Sequence, residues 1–91
     1  MVRYGFFIFK GNTINLYHLV DKLKRSINYP NLLLSSLIVD QVELLVEAGL
    51  IPHHQLKMIR ILSSTGFPLG GSVALKVRKL ADYIEHLAEN S

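Results

Sequence analysis

The sequence predicts one domain of mixed α+β class, with a helix-turn-helix core, a β-hairpin and a C-terminal helix. Three observations predict it: an aromatic segment near the N-terminus, two helical hydrophobic patterns separated by a proline, and a glycine-rich stretch between two segments of strand-forming residues. The alternative is a small all-α helical bundle, because the segments beside the glycines also fit helical spacing. A chain of 91 residues is short enough to form a single core.

Composition narrows the classes of partner and compartment. Ten lysines and arginines oppose seven aspartates and glutamates, and the resulting formal charge of +3 permits an anionic partner without requiring one. The absence of cysteine excludes a disulfide framework and fits a reducing compartment. The first segment, MVRYGFFIFKGN, has too few apolar residues to cross a membrane and lacks a cleavage site, so we expect a soluble, cytoplasmic protein.

The first predicted element is a strand over residues 4–9, which are mostly aromatic or β-branched and are followed by the turn signal KGN. A helix is expected from Ile14 onward, with Asn12 or Thr13 as its cap. Its apolar residues recur at three- and four-residue steps and comprise Leu16, Leu19, Val20, Leu23 and Ile27. Pro30 then disfavours helical geometry in the residue before it, so the first helix ends there.

A second helix is expected over about residues 33–48. Its broad apolar face comprises Leu34, Leu37, Ile38, Val42, Leu45 and Val46. Gly49 stands where a left-handed C-cap is usual, and Pro52 prevents the helix from continuing. The end of this helix is therefore well signalled in the sequence.

The segments after residue 55 have two interpretations that the pattern leaves open. Leu56, Ile59 and Leu62 have helical spacing, while the run KMIRIL is also a plausible strand. The glycines and proline within residues 63–72 predict a loop. Beyond it, either a strand over residues 73–77 precedes a helix over residues 79–89, or a single helix runs from Ser72 to the end.

The order of these elements, together with the motif LxxAGLI at residues 45–51, resembles a winged-helix domain of MarR-type transcription regulators. The resemblance implies that the helix before Gly49 reads DNA and that the following hairpin is a wing that touches phosphates. The segment LKMIRILSSTGFPL is in turn similar to the part of MerR-type regulators that follows their DNA-reading region, and this second resemblance favours a helix over residues 56–62.

The sequence departs from the winged-helix pattern because the first helix of that core is missing. A second subunit or the aromatic N-terminal strand has to cover the surface that this helix would fill. The chain also carries more apolar side chains than one small core covers, so we expect a homodimer.

The candidate binding residues follow from the requirement that Lys or Arg neutralise phosphates. Five cations on and after the expected hairpin are assigned to phosphate contacts: Lys57, Arg60, Lys76, Arg78 and Lys79. Ser36 and Gln41 are the uncharged polar residues assigned to base reading on the second helix. That helix also carries Asp40, Glu43 and Glu47, which the major groove repels, so we expect most affinity for double-stranded DNA to come from the cations.

The sequence gives little support to other functional classes. The pair His53-His54 lacks a third metal ligand at useful spacing, and the glycines at 66, 70 and 71 lack the Lys-Ser or Lys-Thr ending of a phosphate loop. Four aromatic residues are able in principle to stack bases: Tyr4, Phe6, Phe7 and Phe9. Phe6 and Phe7 point to opposite faces of a strand, so core or interface packing is the stronger expectation. We expect no enzyme activity, metal or cofactor.

These sequence features predict two possible functions. The first is a small DNA-binding protein of winged-helix type that regulates transcription. The alternative is a helical adaptor or chaperone-like module that binds a protein partner through its acidic helix and apolar strand.

Overall fold

The computed structural model describes residues 2–28, 35–65 and 71–90, and it has three short strands followed by four helices. The strands are β1 (Val2–Arg3), β2 (Phe6–Phe9) and β3 (Asn12–Asn15), and the helices are α1 (Leu16–Asn28), α2 (Ser36–Glu47), α3 (His53–Thr65) and α4 (Gly71–Glu89). The mixed α+β class is therefore confirmed, and the all-α alternative is wrong because the N-terminal strands pair.

The three strands form an antiparallel sheet in the order β1-β2-β3, joined by two turns of two residues each. Tyr4 and Gly5 occupy the first turn with φ of 54° and 81°, and Lys10 and Gly11 occupy the second with φ of 50° and 77°. Positive φ at both central residues is what a type I′ hairpin turn requires. The strand predicted over residues 4–9 is wrong at its first two residues, since they form a turn.

The sheet continues directly into α1 through Asn15. The side-chain oxygen of Asn15 accepts a hydrogen bond of 3.1 Å from the backbone N–H of His18, as an N-cap does. The N–H of Leu16 donates to the carbonyl oxygen of Gly5 at 2.8 Å, which ties the start of α1 to the first turn. The cap predicted at Asn12 or Thr13 is wrong because both residues pair with β2 instead.

Helix α2 ends as its sequence predicts. The N–H of Leu50 donates to the carbonyl of Leu45, and the N–H of Gly49 donates to that of Val46, both at 3.0 Å. With Gly49 at φ 78°, this pattern is a Schellman motif, which satisfies carbonyls that the helix leaves unpaired.

The start of α2 lies later than residue 33. Ser35 is extended, with φ −69° and ψ 154°, and its hydroxyl accepts a bond from the N–H of Ile38, so Ser35 is the N-cap. Leu34, expected on the apolar face, lies outside the described residues. Leu37 was also expected there, but its side chain is 59% exposed.

Helices α3 and α4 replace the expected wing. Leu56, Ile59 and Leu62 are buried at helical spacing on α3, so the helical interpretation is confirmed and the strand KMIRIL is wrong. Residues 71–89 form one continuous helix, so the strand over residues 73–77 is wrong as well. The helix buries Val77 and leaves Leu75 exposed, whereas strand alternation would place both on one face. The loop predicted over residues 63–72 is helical at both ends, and residues 66–70 lie outside the described ranges.

The core is formed mainly by two helix pairs, α1 with α4 and α2 with α3. The fully or nearly fully buried apolar side chains of the first pair are Leu16, Leu19, Val20, Leu23, Val77, Leu80, Ala81, Ile84 and Ala88. Lys24 of α1 lies 3.3 Å from Glu85 and 3.8 Å from Asp82 of α4, at the edge of this contact. None of the helices in the described ranges is both long and apolar enough to span a membrane.

Three glycines with nearly equal positive φ give a matched test of this fold. Alanine at Gly11 or Gly49 meets no atom within 4 Å, so each substitution should cost only the left-handed backbone penalty, about 1 kcal/mol in the free energy of unfolding. A β-carbon at Gly5 would lie 2.5 Å from the Tyr17 ring, so Gly5→Ala should cost roughly 1–3 kcal/mol more.

Chemical denaturation of the three variants measures these differences. Adding Tyr17→Ala should remove most of the excess cost of Gly5→Ala, because the clashing ring is then absent. Equal costs at all three glycines would contradict the placement of Tyr17 against the first turn, and a neutral Gly49→Ala would contradict the Schellman cap.

Candidate nucleic-acid interface

Four of the five cations assigned to phosphates are exposed and carry no acidic partner. Lys57 lies on α3, and Lys76, Arg78 and Lys79 lie in the first half of α4. Within the described ranges, no carboxylate approaches any of them within ion-pair distance. Their positive charge is therefore available to a ligand.

Arg60 is the exception among the five. Its Nη2 donates to Oε2 of Glu43 on α2 at 3.2 Å, and both side chains are about half exposed. A solvent-exposed pair of this kind contributes only ~0–1 kcal/mol to stability. Glu43 nonetheless compensates the charge of Arg60. Arg60 is therefore less able to attract a phosphate than the other four assigned cations.

The helical conformation of α4 also changes which cations lie together. At 3.6 residues per turn, Lys76 and Lys79 are separated by about 60° around the helix axis, whereas Lys76 and Arg78 are about 160° apart. Tyr83, four residues after Lys79, continues the Lys76–Lys79 side and is exposed. The pair Lys76 and Lys79 is thus adjacent, while Arg78 faces a different direction.

The two residues assigned to base reading lie in unlike environments. Ser36 is exposed at the first turn of α2, next to the capping Ser35. Gln41 is only partly exposed, and its Oε1 is buried without a hydrogen-bond partner among the described residues. A side chain whose amide oxygen is buried cannot present that oxygen to a base edge, so Gln41 is a poor reader in this conformation.

Acidic side chains follow the outer side of α2. Asp40 and Glu47 are exposed and Glu43 lies between them, all on the side of the helix that carries Ser36. Lys10 compensates Glu47, with Nζ 3.3 Å from Oε2, as Arg60 compensates Glu43. Within the described ranges Asp40 has no such partner. This side of α2 is therefore less suited to DNA than the cation-bearing side of α4.

A second exposed surface lies on the N-terminal sheet. Residues directly opposite one another in antiparallel strands point to the same face, and the register pairs Arg3 with Phe6, Phe6 with Asn15, and Ile8 with Thr13. Phe7 and Ile14, which alternate with these residues, are buried against the helices. We call the surface formed by Arg3, Phe6, Ile8, Thr13 and Asn15 the outer sheet face.

The aromatic strand was expected to pack against other elements, so this face was not among the predicted binding residues. The usable signal was the two-residue period of FFIF, which puts Phe6 and Phe7 on opposite faces. The pattern did not show that no helix within the described ranges covers the face with Phe6.

Within residues 2–28, 35–65 and 71–90, no three side chains of His, Cys, Asp or Glu are grouped so as to hold a metal ion. His53 and His54 are exposed at the start of α3. In comparisons with known proteins, no family model, curated protein or solved structure gives a significant match to this chain.

Proposed function

We propose that the protein binds double-stranded DNA through the phosphate backbone, using exposed cations of α3 and α4. The observation that carries the proposal is the uneven pairing of charges. Glu43 and Glu47 of α2 each have a basic partner, while the four cations Lys57, Lys76, Arg78 and Lys79 have no carboxylate near them in the described ranges. Such uncompensated cations displace condensed counterions from DNA, which supplies most non-specific affinity.

The proposal differs from a winged-helix mode in how DNA is contacted. A wing between α3 and α4 has no strands to form it, because residues 53–65 and 71–89 are helical. Phosphate contacts position a protein on DNA but carry no sequence information, and the side of α2 that carries Ser36 is acidic. We therefore expect binding that depends little on the DNA sequence. A regulatory role would then follow from occupancy of the DNA by the protein rather than from base reading.

Removing the adjacent lysines of α4 tests the proposal. Lys76→Ala with Lys79→Ala should weaken binding to all duplex sequences alike, and it should flatten the plot of log K against log salt by close to one unit per lost phosphate contact. Fluorescence anisotropy with two unrelated duplexes across a salt series measures both effects. The matched control is Lys10→Ala with Arg60→Ala, which removes the same charge from two cations that already have carboxylate partners.

The control pair should change affinity less than the lysine pair. An equal effect of the two pairs would mean that net charge alone governs binding, which contradicts a specific role of α4. Absence of duplex binding by the unmodified protein at low salt would contradict the proposal itself and would favour the adaptor function.

A homodimer stays a prediction. Leu37 on α2 and Leu75 on α4 are 59% and 53% exposed, and large apolar side chains at helix surfaces support association of two copies. Sedimentation velocity of the protein at roughly tens of micromolar, where weak interfaces associate, should show a dimer. Leu37→Asp or Leu75→Asp should weaken this dimer. A monomer under all conditions would contradict it.

A further inference from the structure

The outer sheet face combines exposed aromatic rings with positive charge and lacks acidic residues. Phe6 is 43% exposed at the centre of the face, and Tyr4 and Tyr17 at its end are 84% and 47% exposed. The first acidic residue in the chain is Asp21, so no strand or turn of the sheet carries a carboxylate side chain. Arg3 on this face has no acidic partner among the described residues.

Tyr4 is held in a conformation that its side chain does not favour. Its φ of 54° lies in the left-handed region, where Asn and Gly are common and a bulky aromatic residue is unusual. The ring gains little burial in return, because it is almost fully exposed. The guanidinium of Arg3 lies 5.9 Å from the ring centroid, so a cation and a π-face stand side by side in solvent. Backbone strain combined with an exposed ring points to a contact made by that ring.

Tyr17 is positioned against the same turn. Two of its ring carbons approach the place of a Gly5 β-carbon within 2.5 Å, so the ring lies directly on the backbone of the turn. The hydrogen bond from Leu16 N–H to the Gly5 carbonyl fixes the start of α1 beside this turn. Tyr17 is therefore a ring held at one end of the sheet with about half of its surface open.

We propose that the outer sheet face binds single-stranded nucleic acid, with bases stacked on Tyr4, Phe6 and Tyr17 and a phosphate bound by Arg3. Flat bases stack on exposed aromatic side chains with little dependence on sequence, and a nearby Arg contributes to both stacking and charge. This surface shares no residue with the α3 and α4 cations proposed to bind duplex DNA, so either site can be present without the other.

Charge argues against a second copy of the chain as the occupant of this face. A second copy packed face to face would bring two acid-free surfaces with an Arg3 each into contact, and like charges there oppose association. An anionic strand that offers π-faces, in contrast, complements both the rings and the cation. Single-stranded nucleic acid has this combination along its whole length.

The experiment compares a ten-nucleotide oligothymidine with an abasic strand that has the same number of phosphates. The protein contains four tyrosines and no tryptophan, so base stacking on a tyrosine quenches its fluorescence. Tyr83→Phe in every protein compared removes the signal of the exposed tyrosine beside Lys76 and Lys79. The unmodified protein should bind oligothymidine more tightly than the abasic strand and show quenching only with the former. Binding to a duplex, measured in parallel, reports the other site.

Two variants test the rings without removing the fold. Tyr4→Asn places a residue in the turn that favours left-handed geometry, so it should keep or raise thermal stability while lowering oligothymidine affinity by about tenfold. Phe6→Thr keeps a strand-forming residue and should give a similar loss. Ile61→Ala removes an exposed apolar side chain from α3 and is the matched control, which should leave oligothymidine affinity unchanged.

Three results would overturn the inference. Equal affinity for the abasic strand would mean that only phosphates are bound. Unchanged affinity in both folded ring variants would mean that the bases lie elsewhere. Failure to bind oligothymidine, with self-association that Phe6→Thr abolishes, would assign the face to a protein contact. Loss of duplex binding alone would count against the function proposed for α4 and leave this inference standing.

Discussion

The packing of α1 against α4 is the contact on which the rest of the structure depends. These helices are separated by more than forty residues of sequence, and they make the most extensive helix–helix contact in the described ranges, with buried residues such as Leu23 and Ile84. Burial of each such side chain contributes about 1.5–3 kcal/mol relative to leaving it in water. This long-range contact requires residues 71–89 to be one helix with a continuous apolar stripe, and so it excludes a strand in that segment.

The position of both proposed binding surfaces follows from this contact. Because α4 buries Val77, Leu80 and Ile84 on one side, side chains on its other sides, including Lys76 and Lys79, face solvent. The sheet runs directly into α1 at Asn15, and its inner face packs with the helices, whereas Phe6 on its outer face is exposed in the part of the chain that the structure describes. The cations and the aromatic rings are thus carried on different elements, and each set can be altered without removing the other.

Local signals in the sequence predicted the elements whose ends are set by nearby residues. The stop of α2 at Gly49 and the apolar stripe of α1 were both predicted correctly, since a Schellman cap and a helical stripe need only short-range patterns. The turn at Tyr4-Gly5 was missed, because tyrosine is not a residue that signals left-handed geometry. The segment at residues 73–77 was left open, since Val73 and Val77 fit both periods and only contact with a distant helix decides between them.

The candidate site was predicted in part. Exposure of Lys57, Lys76, Arg78 and Lys79 agrees with what charged surface residues do in general, so the sequence was sufficient. Pairing of Arg60 with Glu43 depends on how α2 lies against α3, and burial of the Gln41 amide oxygen depends on tertiary packing. No local pattern specifies either. For the same reason, the open outer sheet face became visible only once the helices were seen to cover the other side.

Three features depend on the helical conformation of residues 71–89: the contact with α1, the absence of a wing in this segment and the exposure of the α4 lysines. Backbone 13Cα chemical shifts over residues 72–79 measure that conformation in solution. We expect uninterrupted helical shifts through Val73, Leu75 and Val77, with slow amide exchange at Val77 and Leu80. Strand-like shifts at residues 73–77, followed by a helix beginning near Lys79, would contradict this expectation and restore the wing.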